Sequence, residues 1–171
     1  MTVTINGNGT ITPTSAVQPT GSILQVVSRF QNTGKSTTST SFANVTDVYG
    51  SITPASSSNK ILVLINGTVS ISGDWALGFR LNRTISSTTI QVGGASDTQT
   101  SSGIQNTYAH GDANMMAMNY HFLDSPSTTD PITYQLTWKL NGGTGYWNSY
   151  SGSVGADYES ASSVILMEVA G

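Results

Sequence analysis

The sequence predicts an all-β chain: an antiparallel β-sandwich, most simply a jelly roll, preceded by an extended N-terminal arm. Three observations predict it. Apolar residues alternate with polar ones at period two through most of the apolar stretches. Helical periodicity is almost absent. The strand-like runs are short and are separated by turns rich in Gly, Ser, Asn and Pro, with 18 glycines among 171 residues.

The elements follow in order. Residues 1–20 are rich in Thr, Asn and Gly, carry Pro13 and Pro19, and have little apolar content beyond Val3, Ile5 and Ile11. Val3 and Ile5 alternate, so this segment is expected to add as a strand to a partner, as an attachment arm rather than a second domain. Residues 21–171 form the sandwich domain. SILQVVSRF (22–30) follows the turn pair Thr20-Gly21. SFANVTDVYGSIT (41–53) offers Phe42, Val45 and Val48, then Tyr49 and Ile52 after an irregularity expected near Gly50. KILVLINGTVSIS (60–72) opens with the apolar run Ile61 to Ile65, which calls for a central strand. Asn66-Gly67 and Asn82 are expected at turns or bulges. WALGFRLNRT (75–84) places Trp75, Leu77, Phe79 and Leu81 on one face, and TTIQVG (88–93) can pair with it. The window 108–120 holds the best local helix formers, but Gly111 and Asn114 interrupt it. NMMAMNYHFL (114–123), ITYQLTWKL (132–140), TGYWNS (144–149) and SSVILMEV (162–169) complete the strands. Asn141-Gly142-Gly143 is a hairpin signal.

Composition narrows the function. Only 9% of residues are charged and the net charge is −3. The six basic residues (Arg29, Lys35, Lys60, Arg80, Arg83, Lys139) are scattered, so nothing resembles a nucleic-acid footprint. Cysteine is absent, which removes disulfides, thiolate metal sites and Cys nucleophiles. The first residues do not read as a signal peptide, and no apolar run reaches the length of a membrane helix. A surface of hydroxyls and amides sheds water at little cost, which suits contact with copies of itself or with neutral sugars.

Candidate chemistry is sparse. His110 and His121 are eleven apart, no recognised ligand spacing, and alternation turns His121 away from Tyr120 and Phe122. In FLDSPSTTDPITYQL (122–136), Asp124 and Ser125 lie beside His121 but read better as turn residues that bond the backbone next to prolines. Asp157 and Glu159 could be a glycosidase pair, but such pairs usually come from different elements around a cleft, and two surface acids are by far the commoner reading. Tyr146, Trp147, Tyr150 and Tyr158, interleaved with Gly142, Gly143, Gly145 and Gly152, are either a platform for glycans or aromatics packed in the sandwich or a subunit interface. No catalytic residue, metal site or cofactor is expected.

GSILQVVSRFQNTGKSTTSTSFANVTDV, SITPASSSNKILVL, NYHFLDSPSTTDPITYQL and the ending SSVILMEVAG resemble, in the same order, a domain recurrent in structural proteins of tailed phages of the cyanophage type. The resemblance spans about residues 21 to 171, and MTVTINGNGTITP resembles the N-termini of such fibre proteins, here set almost directly against the domain. It implies a virion component on the surface of a phage particle: a homotrimeric knob, tail fibre or head decoration protein. Its expected partners are its own copies, other capsid or tail proteins, and a host surface glycan.

Overall fold

The computed structural model describes residues 3–5, 11–13, 18–94, 103–108, 115–150 and 159–171. Among them are thirteen strands: β1 (Val3–Ile5), β2 (Ile11–Pro13), β3 (Ile23–Gln31), β4 (Lys35–Thr37), β5 (Ala43–Ile52), β6 (Lys60–Ile71), β7 (Ala76–Ile85), β8 (Thr88–Val92), β9 (Gln105–Tyr108), β10 (Met116–Asp124), β11 (Ile132–Leu140), β12 (Gly145–Trp147) and β13 (Ser162–Val169). β1 and β2 pair only with each other, Ile5 opposite Ile11. Every other strand belongs to one of two antiparallel sheets.

The pairing is that of a long hairpin folded over on itself. β3 pairs with β13, β5 with β11, β6 with β10 and β7 with β8. These ribbon pairs then join side by side, β13 to β6 in one sheet and β11 to β7 in the other. First against last, second against second-last: this is the jelly-roll connection, and it explains why consecutive strands keep crossing between sheets. β4 and β12 extend the first sheet, β12 pairing with β6 beyond the end of β13, and β9 extends the second.

Alternation places the core. Ile61, Val63 and Ile65 of β6 point inward against Leu77, Phe79 and Leu81 of β7 and Leu136 and Trp138 of β11, all essentially without exposure. β6 has partners on both edges, as its five-residue apolar run demanded. Leu62 and Leu64, between the inward residues, face outward and are only partly covered.

Several expectations need correction. Asn141-Gly142-Gly143 does not close a hairpin: β11 and β12 lie in different sheets, so this turn crosses the top of the sandwich. Asn66-Gly67 and Asn82 sit in mid-strand. The irregularity in β5 lies around Asp47 rather than Gly50. Opposite β11, the register jumps from Asn44 to Tyr49, with Asp47 in a left-handed conformation at φ 68°. This bulge lets Val45 and Val48, three residues apart, both reach the core. The Gln135 carboxamide fills it, donating to the carbonyls of Val45 and Val48 at 3.0 and 3.1 Å. Arg29 and Lys35 bind the Asp47 carboxylate from outside, each at 3.2 Å. Met116–Asp124 is strand, as expected over 114–123. β4 and β9, three and four residues long, have too little pattern to be read from sequence.

Candidate functional site

The predicted aromatic platform is not assembled. Trp147 is fully buried. Its ring meets Phe79 edge-on at 6.0 Å and lies over Gly67, where a β-carbon would come within 2.4 Å of Cζ2. That close approach is why a glycine sits in the middle of β6. The indole N–H donates to Ser162 Oγ at 3.0 Å, so even its polar atom is spent internally. A ring with no exposed face cannot stack on a sugar. Tyr146 projects from the other side of β12, and Tyr150 is half-buried. Tyr158, Gly152, Asp157, His110 and Asp112 lie outside the described residues. Glu159 accepts the Gly34 N–H at 3.0 Å, and His121 projects outward from β10 as alternation required.

Asp124 has a different role from the one its sequence context suggested. It does not bond the turn backbone; it is buried and reaches across the sandwich. Both carboxylate oxygens accept from Nη1 of Arg83 at 2.8 Å, and one also accepts the Tyr134 hydroxyl at 2.6 Å. Arg83 and Tyr134 stand on the second sheet, so this group ties the two layers together. Burial, followed by the hydrogen bond to Asp124, pushes the Tyr134 phenol well above its ordinary range.

Glu168 occupies the same end of the sandwich, in one inward row with Gln25, Ile61 and Asp124. It is 1% exposed and holds the loop between β5 and β6. Asn59 Nδ2, the Ala55 N–H and Gln25 Nε2 donate to it at 2.5, 2.6 and 2.7 Å. Burial alone raises the pKa of such a carboxyl, but the hydrogen bonds from Asn59, Gln25 and the backbone of Ala55 and Ser56 outweigh it, and the net shift is downward. With its pKa lowered on folding, Glu168 contributes stability that is present above its ordinary value of 4.5 and is lost as pH falls through the folded value. Glu168→Gln is therefore expected to lower stability at pH 7 by about 1–3 kcal/mol and to flatten the acid limb. Urea titrations between pH 3 and 7 check this; a variant that parallels the wild-type acid limb contradicts it.

The two outer faces differ sharply. Outside the second sheet, the uncharged polar side chains of Asn44, Asn82, Thr84, Thr89, Thr133 and Gln135 line a shallow depression of about 320 Å³. Outside the first sheet, register builds one wholly apolar row across four strands, Val26–Met167–Leu62–Leu123. The next, Ser28–Ile165–Leu64–His121, is apolar at its two central positions, and the row that begins at Phe30 continues through the polar Ser163, Asn66 and Asn119. Ile23 and Val169 extend the apolar part at one end, and Phe30 stands at the other. Ile23, Val26, Phe30 and Leu123 are 58%, 55%, 68% and 47% exposed. Lys60, beside Val169, is the one charged side chain among the outward positions of these four strands. Alternation in sequence flagged the inward residues; what the reading missed is that part of this sheet, around the row Val26–Met167–Leu62–Leu123, is apolar on its outer side as well.

No family model matches the sequence, and no curated protein matches it. Among solved structures, a structure of infectious bursal disease virus, Gt strain, aligns over 99% of this chain and 47% of its own, with 10% identity and a TM-score of 0.42. The Gx strain structure aligns over 92% and 42%, with 10% identity and a TM-score of 0.40. The VP2 subviral particle of the same virus aligns over 93% and 42%, with 13% identity and a TM-score of 0.37. This chain thus spans less than half the length of those chains, and likenesses at this level concern fold alone.

Proposed function

We propose that this chain is a non-enzymatic phage virion structural protein, a trimeric knob, fibre or decoration unit held on the particle by its N-terminal arm, residues 1–20. The observation that carries the assembly reading is the apolar outer face of the β3–β13–β6–β10 sheet. Four strands at about 4.8 Å and the run from Ile23 to Phe30 at about 3.3 Å per residue outline roughly 14 by 23 Å. The apolar positions inside that outline, bordered by Ser28, His121, Ser163, Asn66 and Asn119, suit the centre of an interface with a polar rim. Its occupant is a second copy of this chain. Around a threefold axis the contact is heterologous: this face of one copy meets a different surface of the next, and three such contacts close the ring. The polar opposite face is suited to water. The ordered resemblance to phage structural domains supports the virion setting.

Sedimentation at micromolar concentration tests the reading: the expected mass is that of three chains, and a monomer overturns it. Deleting residues 1–20 is expected to abolish attachment to particles while leaving the trimer folded. A truncated protein that still co-purifies with particles, or one that loses the trimer, contradicts the assigned role of the arm.

The alternative, a receptor-binding module using Tyr146, Trp147 and Tyr150 on host glycans, loses its central residue to the core.

A further inference from the structure

The glycines that sequence reading placed around Trp147 support another ring. Trp75 stands just before β7, at the end of the sandwich opposite Asp124 and Glu168, and is 40% exposed. A β-carbon on Gly142 would lie 2.5 Å from its Cε3, and one on Gly143 2.4 Å from its Cδ1, so the indole rests directly on glycine backbone. The two turns that hold it are laced together. Ser72 N–H donates to the Thr144 carbonyl at 2.9 Å and Thr144 N–H to Ser72 Oγ at 2.9 Å. Ala76 N–H donates to Asn141 Oδ1 at 2.7 Å, and Asn141 N–H to the Ala76 carbonyl at 3.2 Å. Tyr108, 64% exposed, lies cross-strand from Ala76 on β9.

We propose that this end of the sandwich is a carbohydrate subsite for a neutral pyranose, with Trp75 as its stacking platform. A large aromatic ring fixed from beneath, with its upper side in water, has already lost the side-chain freedom that binding would remove. The flat C–H side of a pyranose matches one open indole face, whereas an organic cation is better held by several rings around it. Because Asn141 spends its carboxamide oxygen on Ala76, its two amide N–H donors are left to face hydroxyls. The proposal does not depend on the oligomeric state.

The protein reports on itself here. Of its three tryptophans, Trp138 and Trp147 are 2% and 0% exposed, so solvent-sensitive indole emission comes from Trp75. Titration of the full chain with glucose, galactose, mannose and N-acetylglucosamine is expected to give a saturable change in that emission for at least one sugar, with a dissociation constant on the order of 1–10 mM. Trp75→Phe should retain binding, measured by ligand-observed NMR, with about tenfold weaker affinity, and Trp75→Ala should lose it. No saturable response to any of the four up to roughly 100 mM, or NMR binding that survives in Trp75→Ala, overturns the proposal. Sedimentation of the same samples shows independently whether the assembly reading stands.

Discussion

Val26→Asp is expected to take the assembly apart and leave the subunit folded. Val26 is 55% exposed at one end of the row that continues through Met167 and Leu62 to Leu123. In the assembled protein a carboxylate there must either lose its water or open the contact, a penalty of several kcal/mol without a cation opposite. Association should weaken by more than about 10³-fold, and each subunit of a symmetric assembly carries the same defect. Folding of the subunit pays little, because the side chain points away from the core and the strand-propensity difference is about 1 kcal/mol or less. Ser51→Asp, on the polar opposite face and itself exposed, is the matched control and should leave the mass unchanged. Sedimentation of both variants at micromolar concentration decides the matter. A Val26→Asp protein that retains the wild-type mass places the interface elsewhere.

The largest loss of fold stability is expected from Asp124→Ala, about 3–5 kcal/mol. The substitution strands the Arg83 guanidinium, whose side chain is 15% exposed and whose Nε already lacks a partner, and removes the acceptor of the Tyr134 hydroxyl. Replacing both ends together, Arg83→Met with Asp124→Leu, should recover most of the loss, since the cost lies in leaving one charge buried alone. Urea titrations of the two single variants and the double variant close the cycle; a loss below about 1 kcal/mol for Asp124→Ala would show that water reaches the pair. Tyr134 adds an alkaline counterpart. Its pKa is raised on folding, so the neutral phenol contributes stability that is full below the ordinary value of 10.0 and declines as pH rises beyond it. Tyr134→Phe should shallow that decline.

The four stretches that carry the phage resemblance meet at one end of the sandwich. Gln25 from SILQVV, Ala55 and Asn59 from SITPASSSN, and Glu168 from MEV are joined by hydrogen bonds, and Asp124 from FLDSP lies in the same inward row. In sequence they are separated by as many as 143 residues, and no local signal joins them. Asp124 beside Ser125, Pro126 and a histidine looks like a turn, because short polar residues next to proline usually are one. Only strand order sets Arg83 and Tyr134 opposite it.

What the sequence determined by itself was the class of fold and nine of its strands. A strand must hide one face, and that requirement writes period-two alternation into a short stretch of residues. What only the tertiary structure decided was which side chains meet. Trp75 and Trp147 are both aromatic residues close to glycines in sequence, yet Gly67 seats one in the core and Gly142 and Gly143 hold the other at the surface. The apolar outer face likewise exists only once β3, β13, β6 and β10 lie side by side, because cross-strand neighbours are set by register and register is a long-range fact.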